Sequence, residues 1–298
     1  MKVVFSSGGS GGIAKSSGAR ALAQHLSRFG GTVLVDGNLT QQSQREYFGL
    51  ADDDCLENML VGGDARERMV NAIVTPDRLP NGAGYAVLPG PISYNPKSLD
   101  LLGRSIGELA GLADYVVVDT DRFDAEALAD NMTVAGGVML PWLLHGSEAG
   151  SCGVVFRLGL LGSSLNDGRN ALDALVGAGV SPNGIGVVAT VQPGAESLDT
   201  SPERWRSRLE GLGRYLGSDR WTPASGRLLA ERKPDTPTTT SPHGSHARGL
   251  GCVASSRSRG QGRGRRPSAD GGADGVDSGE AGRVGPCSGD AGAHRQDE

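Results

Sequence analysis

The first forty residues constrain this chain most. Lys2-Val3-Val4-Phe5 is a short apolar run that opens into Ser6-Ser7-Gly8-Gly9-Ser10-Gly11-Gly12-Ile13-Ala14-Lys15-Ser16-Ser17. Ala19, Leu22, Ala23 and Leu26 then recur at helical spacing, and Thr32-Val33-Leu34-Val35 leads into Asp36. The pattern predicts strand, glycine loop, helix, strand and acidic turn. A strand that breaks into glycines and re-forms as a helix aims backbone N–H groups and a positive helix end at one spot. That spot suits a phosphate.

Two nucleotide readings fit the loop. Gly9-x-Gly11-x-x-Ala14 matches the dinucleotide fingerprint, with Asp36 placed to hold a ribose. The same stretch contains Gly11-Gly12-Ile13-Ala14-Lys15-Ser16, which resembles the deviant P-loop of the ParA/MinD family of ATPases. In that family the lysine reaches the β- and γ-phosphates and the serine hydroxyl ligates Mg²⁺. Taken alone, the loop barely separates the two.

Residues further on favour the P-loop. Ala113-Asp114-Tyr115-Val116-Val117-Val118-Asp119-Thr120 is an apolar strand with a carboxylate at its end, and it resembles a Walker B strand of the family. Such an aspartate holds the Mg²⁺ shell from a strand beside the P-loop strand. The resemblance extends to Gln41–Gly49 as a switch segment, to Val87-Leu88-Pro89-Gly90-Pro91 as a mid-domain strand and turn, and to Asn131–Pro141 as a strand ending in proline. The rival reading, an NAD(P)-binding Rossmann-type oxidoreductase, lacks its second half in the short-chain dehydrogenase form. None of Tyr47, Tyr85, Tyr94, Tyr115 and Tyr215 has a lysine four residues later.

Three departures from the family pattern bear on chemistry. Ser10 stands where the family has a second lysine that reaches across a nucleotide-sandwiched dimer. Ala14 replaces the glycine before the catalytic lysine, and its β-carbon restricts φ. After the second strand, Asp36-Gly37-Asn38 replaces the family's paired aspartates. Asparagine orients a water without supplying charge or accepting a proton, or it simply caps a turn. The resemblance therefore implies ATP binding more firmly than ATP hydrolysis.

The resemblance assigns Gly9, Ser10, Gly11, Gly12, Ile13, Ala14, Lys15, Ser16 and Ser17 to ATP, and Ser16 with Asp119 to Mg²⁺. Lys15, Asp36 and Asn38 carry whatever catalysis there is. It also implies DNA partition or intracellular positioning, with ATP-controlled homodimerisation, non-specific DNA and a partition or cargo protein as partners. The alternative within the family is a non-hydrolysing localisation scaffold, like the atypical members that place pili or septa.

Alternating apolar runs and helical patterns predict a doubly wound, mostly parallel α/β domain over residues 1–233. Strands are expected at 2–6, 32–36, 84–88, 115–119, 136–140 and 185–191. Helices are expected at 15–29, 52–61, 65–73, 98–111, 124–131, 165–178 and 203–217. In the last of these, Trp205, Leu209, Leu212 and Leu216 recur at helical spacing among Arg204, Arg206, Arg208 and Arg214. Those arginines either grip DNA or face water while the apolar stripe packs on the sheet. Asp52-Asp53-Asp54 reads as a helix-start cap rather than a metal site. His145 reads as structural.

From residue 235 onward there is no Phe, Tyr, Trp, Ile, Met or Lys, so residues 234–298 read as disordered. Arg257, Arg259, Arg263, Arg265 and Arg266 there allow a nucleic-acid arm, an inert linker or a frameshifted reading. A net charge of −5 argues against a whole-molecule grip on nucleic acid. No apolar run reaches membrane-spanning length, and no secretory leader is visible. Four scattered cysteines lack metal or disulfide spacing, as expected of a cytoplasmic protein.

Overall fold

Apolar runs of three to eight residues become strands, and the amphipathic stretches between them become the helices that cover both faces. The computed structural model describes residues 1–80, 82–146 and 150–220. In chain order these form β1 (Lys2–Gly8), α1 (Lys15–Leu26), β2 (Thr32–Gly37), α2 (Ser43–Phe48), α3 (Ala65–Ala72), β3 (Ala86–Leu88), α4 (Pro96–Glu108) and β4 (Tyr115–Arg122). Then follow α5 (Ala125–Ala129), α6 (Leu140–Gly146), β5 (Cys152–Gly159), α7 (Gly162–Gly177), β6 (Ile185–Val191), α8 (Pro202–Arg208) and β7 (Arg214–Arg220). The boundary at 233 and the Gly/Arg-rich segment after it lie outside the described residues.

The seven strands form one sheet in the order β3-β2-β4-β1-β5-β6-β7, and every neighbouring pair is parallel. Side chains alternate across it. Phe5, Val33, Val35, Val116, Val118 and Phe156 meet Leu102 and Ile106 of α4 and Leu172 of α7 on one face. Leu34, Val87 and Val117 meet Ala19 and Ala23 of α1 on the other. Each such large apolar side chain, fully buried, contributes about 1.5–3 kcal/mol. The predicted fold class holds.

The expected strand 136–140 is instead helical. Val134–Met139 forms a π-helical turn that runs into α6. Thr133 Oγ1 caps it by accepting the Gly136 N–H at 3.0 Å. Two glycines permit the tight approach to the preceding turn. A β-carbon at Gly136 would lie 2.3 Å from the Asp130 carbonyl oxygen, and one at Gly137 would lie 2.3 Å from that of Asn131. Because these are backbone contacts, we expect Gly136→Ala to lower stability by about 1–3 kcal/mol in urea unfolding. An unchanged midpoint would show that the turn can move aside.

The place of the lost strand is taken by β5, which the periodicity missed. Arg157 interrupts its apolar run yet is only 7% exposed; its Nη1 donates to Asp219 Oδ2 of β7 at 2.9 Å. The expected helix 203–217 likewise divides. Only α8 is helical, Gly211 turns the chain at φ +77°, and residues 214–220 form β7. Trp205 and Leu209 are buried as the stripe required, but Leu216 sits on β7 and is exposed. Residues 52–61 hold a short 3-10 turn, Leu56–Leu60, and Asp54 pairs with Arg78 at 2.7 Å rather than capping it.

Candidate functional site

The loop from β1 to α1 is pinned from below and open above. Ile13 is buried, and its carbonyl accepts a hydrogen bond from Thr190 Oγ1 at 3.3 Å; its side chain therefore anchors the loop. Gly11 and Gly12 are exposed, with nothing near where a β-carbon would stand, and Gly12 has φ +67°. Ala14 adopts φ 60°, ψ 35° as the residue before α1 and offers the helix no side-chain cap. This left-handed conformation is the one a glycine takes without strain. The first N–H groups of α1 thus face the loop opening, where an anion satisfies them.

Lys15 and Ser16 start α1 beneath that opening. Lys15 Nζ donates to the Ser10 carbonyl at 3.0 Å. Burial lowers the lysine pKa, opposed by the carboxylates of Asp119 and Asp121. Ser6 Oγ, on β1, donates to the Lys15 carbonyl at 3.0 Å and ties strand to helix. Ser17 Oγ accepts from Arg20, so it stands on the side of α1 that faces α2. Ser10 Oγ is buried with no hydrogen-bond partner among the described residues.

The two acidic strand ends meet in register, Asp36 on β2 opposite Asp119 on β4. Asp36 is fully buried. Its Oδ2 accepts the backbone N–H groups of Gln44 at 3.2 Å and Arg45 at 3.3 Å. Burial, reinforced by the Asp119 carboxylate, pushes its pKa up to about 7. Burial also raises Asp119, against the stabilising hydrogen bonds of Gln44, Ser16 and Ser43. Oδ1 of each carboxylate has no hydrogen-bond partner among the described residues. A buried carboxylate oxygen without a donor is costly unless a cation or ligand meets it.

Asn38 caps a turn. Its Oδ1 accepts the Gln41 N–H at 3.3 Å and its carbonyl accepts that of Gln42 at 2.7 Å.

Several site residues were not legible one by one. Gln44 is fully buried and donates from Nε2 to Asp119 Oδ2 at 2.7 Å. Its Oε1 accepts from Arg20 Nη1 at 3.2 Å. The Arg20 guanidinium lies 3.6 Å over the Tyr47 ring. This chain of contacts fixes the Asp119 carboxylate from behind. Ser43 Oγ stands 2.9 Å from Ser16 Oγ and 3.1 Å from Asp119 Oδ2. Thr40 Oγ1 donates to Asp121 Oδ1 at 2.6 Å. The only sequence signal was the polar run Gln41-Gln42-Ser43-Gln44 inside the switch segment.

Strand order separates the two nucleotide readings. The dinucleotide fold has order 3-2-1-4-5-6, with β1 beside β2. Here β4 lies between them, so the strand carrying Asp119 is hydrogen-bonded directly to the strand feeding the glycine loop. Asp36, buried beneath α2, is also not turned to a ribose. No protein-family profile and no curated protein matches the chain. Solved structures do.

A plasmid partition protein from Borrelia burgdorferi bound to AMPPNP aligns at TM-score 0.52 and 19% identity, over 79% of this chain and 92% of its own. The septum site-determining protein MinD of Pyrococcus horikoshii, complexed with Mg-ADP, aligns at 0.57 and 19%, over 78% and 86%. A ParA family ATPase from Chlorobium tepidum aligns at 0.56 and 12%, over 78% and 90%.

This is a ParA/MinD-type P-loop NTPase fold. Within that fold, β1 and α1 flank the glycine loop, and β4, which carries Asp119, pairs directly with β1. The residues at the loop suit Mg·ATP: an uncapped helix start for phosphate, a lysine beside it, and a serine hydroxyl near an orphaned buried carboxylate oxygen. No described helix is long and apolar enough to cross a membrane.

Proposed function

We propose that the protein binds Mg·ATP on loop 8–16 and works as a ParA-like nucleotide switch in DNA partition or intracellular positioning. The observation that carries the reading is the convergence of Lys15, Ser16 and the buried, partly unpartnered Asp119 at the uncapped start of α1. Lys15 would hold the β- and γ-phosphates, while Ser16 and Asp119 would hold Mg²⁺. The metal supplies charge neutralisation at the phosphates. The backbone of Gly9–Ala14, with Ser17 flanking it, would cradle the phosphate oxygens.

Turnover is proposed to be slow. Phosphoryl transfer depends on positioning and charge, and a missing trans-acting cation costs about 10³-fold or more. Ser10 offers no such cation to a partner subunit. The Asn38 side chain is engaged in its own turn, and Asp36 is tied to the N–H groups of α2. These same features favour a second reading, a non-hydrolysing scaffold whose switch is binding alone. A homodimer, non-specific DNA and a cargo or partition protein remain proposed partners. The arginines of α8, Arg204, Arg206 and Arg208, are exposed, which supports a basic contact surface there.

Calorimetric titration with Mg·ATP, Mg·ADP and NADH tests the reading. We expect both adenine nucleotides to bind, more tightly with Mg²⁺ than in EDTA, and NADH not to bind. Binding of NADH with silence for ATP overturns it. Phosphate release then separates a slow ATPase from the scaffold.

A further inference from the structure

We infer that Ser43, the first residue of α2, supplies a third protein oxygen to the Mg²⁺ of the proposed Mg·ATP site, and so connects metal occupancy to the switch segment. The inference rests on the Mg·ATP reading and adds a ligand outside the loop and the Walker B strand.

Three oxygen-bearing side chains stand together. Ser43 Oγ is 2.9 Å from Ser16 Oγ and 3.1 Å from Asp119 Oδ2, and Ser16 also hydrogen-bonds the Asp119 carboxylate. Mg²⁺ takes octahedral oxygen ligands at about 2.0–2.1 Å, so adjacent ligands lie about 2.9 Å apart. The two spacings from Ser43 Oγ, 2.9 Å to Ser16 Oγ and 3.1 Å to Asp119 Oδ2, are close to that separation. The other oxygen of the same carboxylate, Asp119 Oδ1, is buried without a hydrogen-bond partner among the described residues, so the group keeps acceptor capacity that a ligand at this site can use.

The chemistry of the set is consistent. Two neutral hydroxyls and one carboxylate are hard oxygen donors, and Mg²⁺ commonly takes one or two carboxylates with phosphate and water completing its shell. A hydroxyl on Mg²⁺ keeps its proton and can still donate to Asp119 Oδ2. Gln44, the next residue, holds that same oxygen at 2.7 Å and is itself fixed by Arg20.

The turn before α2 is shaped to present Ser43. Gln42 adopts φ 46°, ψ 44°, a conformation that residues other than glycine rarely take. Its Nε2 donates to the Pro91 carbonyl at 2.8 Å, and its backbone N–H is bound by the Asn38 carbonyl. A ligand held by Ser43 would thereby be coupled to the first turn of α2 through the fixed Gln42.

The test compares ATP affinity in Mg²⁺ with that in EDTA, for the full chain and for Ser43→Ala, Ser43→Thr and Ser43→Cys. The wild type is expected to gain affinity with Mg²⁺. Ser43→Ala is expected to lose about 10-fold or more of that gain, read as the Mg²⁺-to-EDTA ratio so that any change common to both conditions cancels. Ser43→Thr keeps the hydroxyl and restores the gain. Ser43→Cys loses the gain with Mg²⁺ and recovers it with Cd²⁺, which prefers a thiolate; a merely structural serine gives no such metal rescue. If Ser43→Ala keeps the wild-type Mg²⁺ gain, or Cd²⁺ fails to rescue Ser43→Cys, the ligand assignment is wrong while ATP binding stands. If the wild type binds no ATP, the nucleotide reading fails and takes this inference with it.

Discussion

Replacing Asp36 with asparagine is expected to stabilise the nucleotide-free protein at pH 8 by up to about 4 kcal/mol, with the gain vanishing below about pH 4. The Asp36 carboxyl, pushed up to about 7 from 3.8 by burial and by Asp119, differs by about 3 units, at 1.36 kcal/mol each. Between those two values the folded chain holds the proton and the unfolded chain has released it. Folding then takes up a proton, so stability falls as pH rises through this window and levels off above 7. An amide keeps an oxygen for the Gln44 and Arg45 N–H groups and never ionises. Urea unfolding of both proteins in EDTA, from pH 4 to pH 8, reads the difference directly. Parallel stability curves for the two would show that Asp36 is not protonated in the fold.

That result would show that the Asp36–Asp119 pair costs the nucleotide-free fold stability. Two buried carboxylates at adjacent strand ends, each with one oxygen lacking a hydrogen-bond partner among the described residues, burden the fold, and the proposed Mg²⁺ would offset that burden. Such tension between stability and function is what a binding site built into a buried strand end produces.

Legibility in the sequence followed the range of the physics involved. The β1–α1 unit, strand β4 and the fold class were readable because each rests on local periodicity and glycine placement. Lys15, Ser16 and Asp119 were placed correctly on their elements for the same reason. The strand expected at 136–140 failed because Gly136 and Gly137 serve a close backbone approach, and such contacts are tertiary. Strand β5 was hidden by Arg157, a buried cation whose partner Asp219 lies on β7, 62 residues on. Helical spacing over 203–217 was accurate for Trp205 and Leu209, yet the helix ends at Arg208, Gly211 turns the chain and residues 214–220 form strand β7. Ser43 and Gln44 carried no motif of their own. Their meaning comes from Asp119 and Ser16, which only folding brings near.

Replacing Lys15 with alanine should have the largest effect on ligand binding. The lysine is half-buried, and burial lowers its pKa while Asp119 and Asp121 hold the charge in place. Its Nζ already reaches back over the loop to the Ser10 carbonyl, so the side chain lies along the loop where the phosphates are proposed to sit. Truncating a desolvated charge that meets an opposite charge typically costs 2–5 kcal/mol. At 1.4 kcal/mol per tenfold, Mg·ATP affinity should fall by about 30- to 4,000-fold. Removing the cation also leaves Asp119 and Asp121 facing the phosphates without it, which moves the effect towards the upper end. Lys15→Arg should recover only part of the loss, because a planar guanidinium is wider than the ammonium the loop encloses. Titration of both variants with Mg·ATP, beside the wild type at fixed Mg²⁺, supplies the measurement. Unchanged affinity in Lys15→Ala would mean that the loop seats something other than a triphosphate, however closely its shape follows a P-loop.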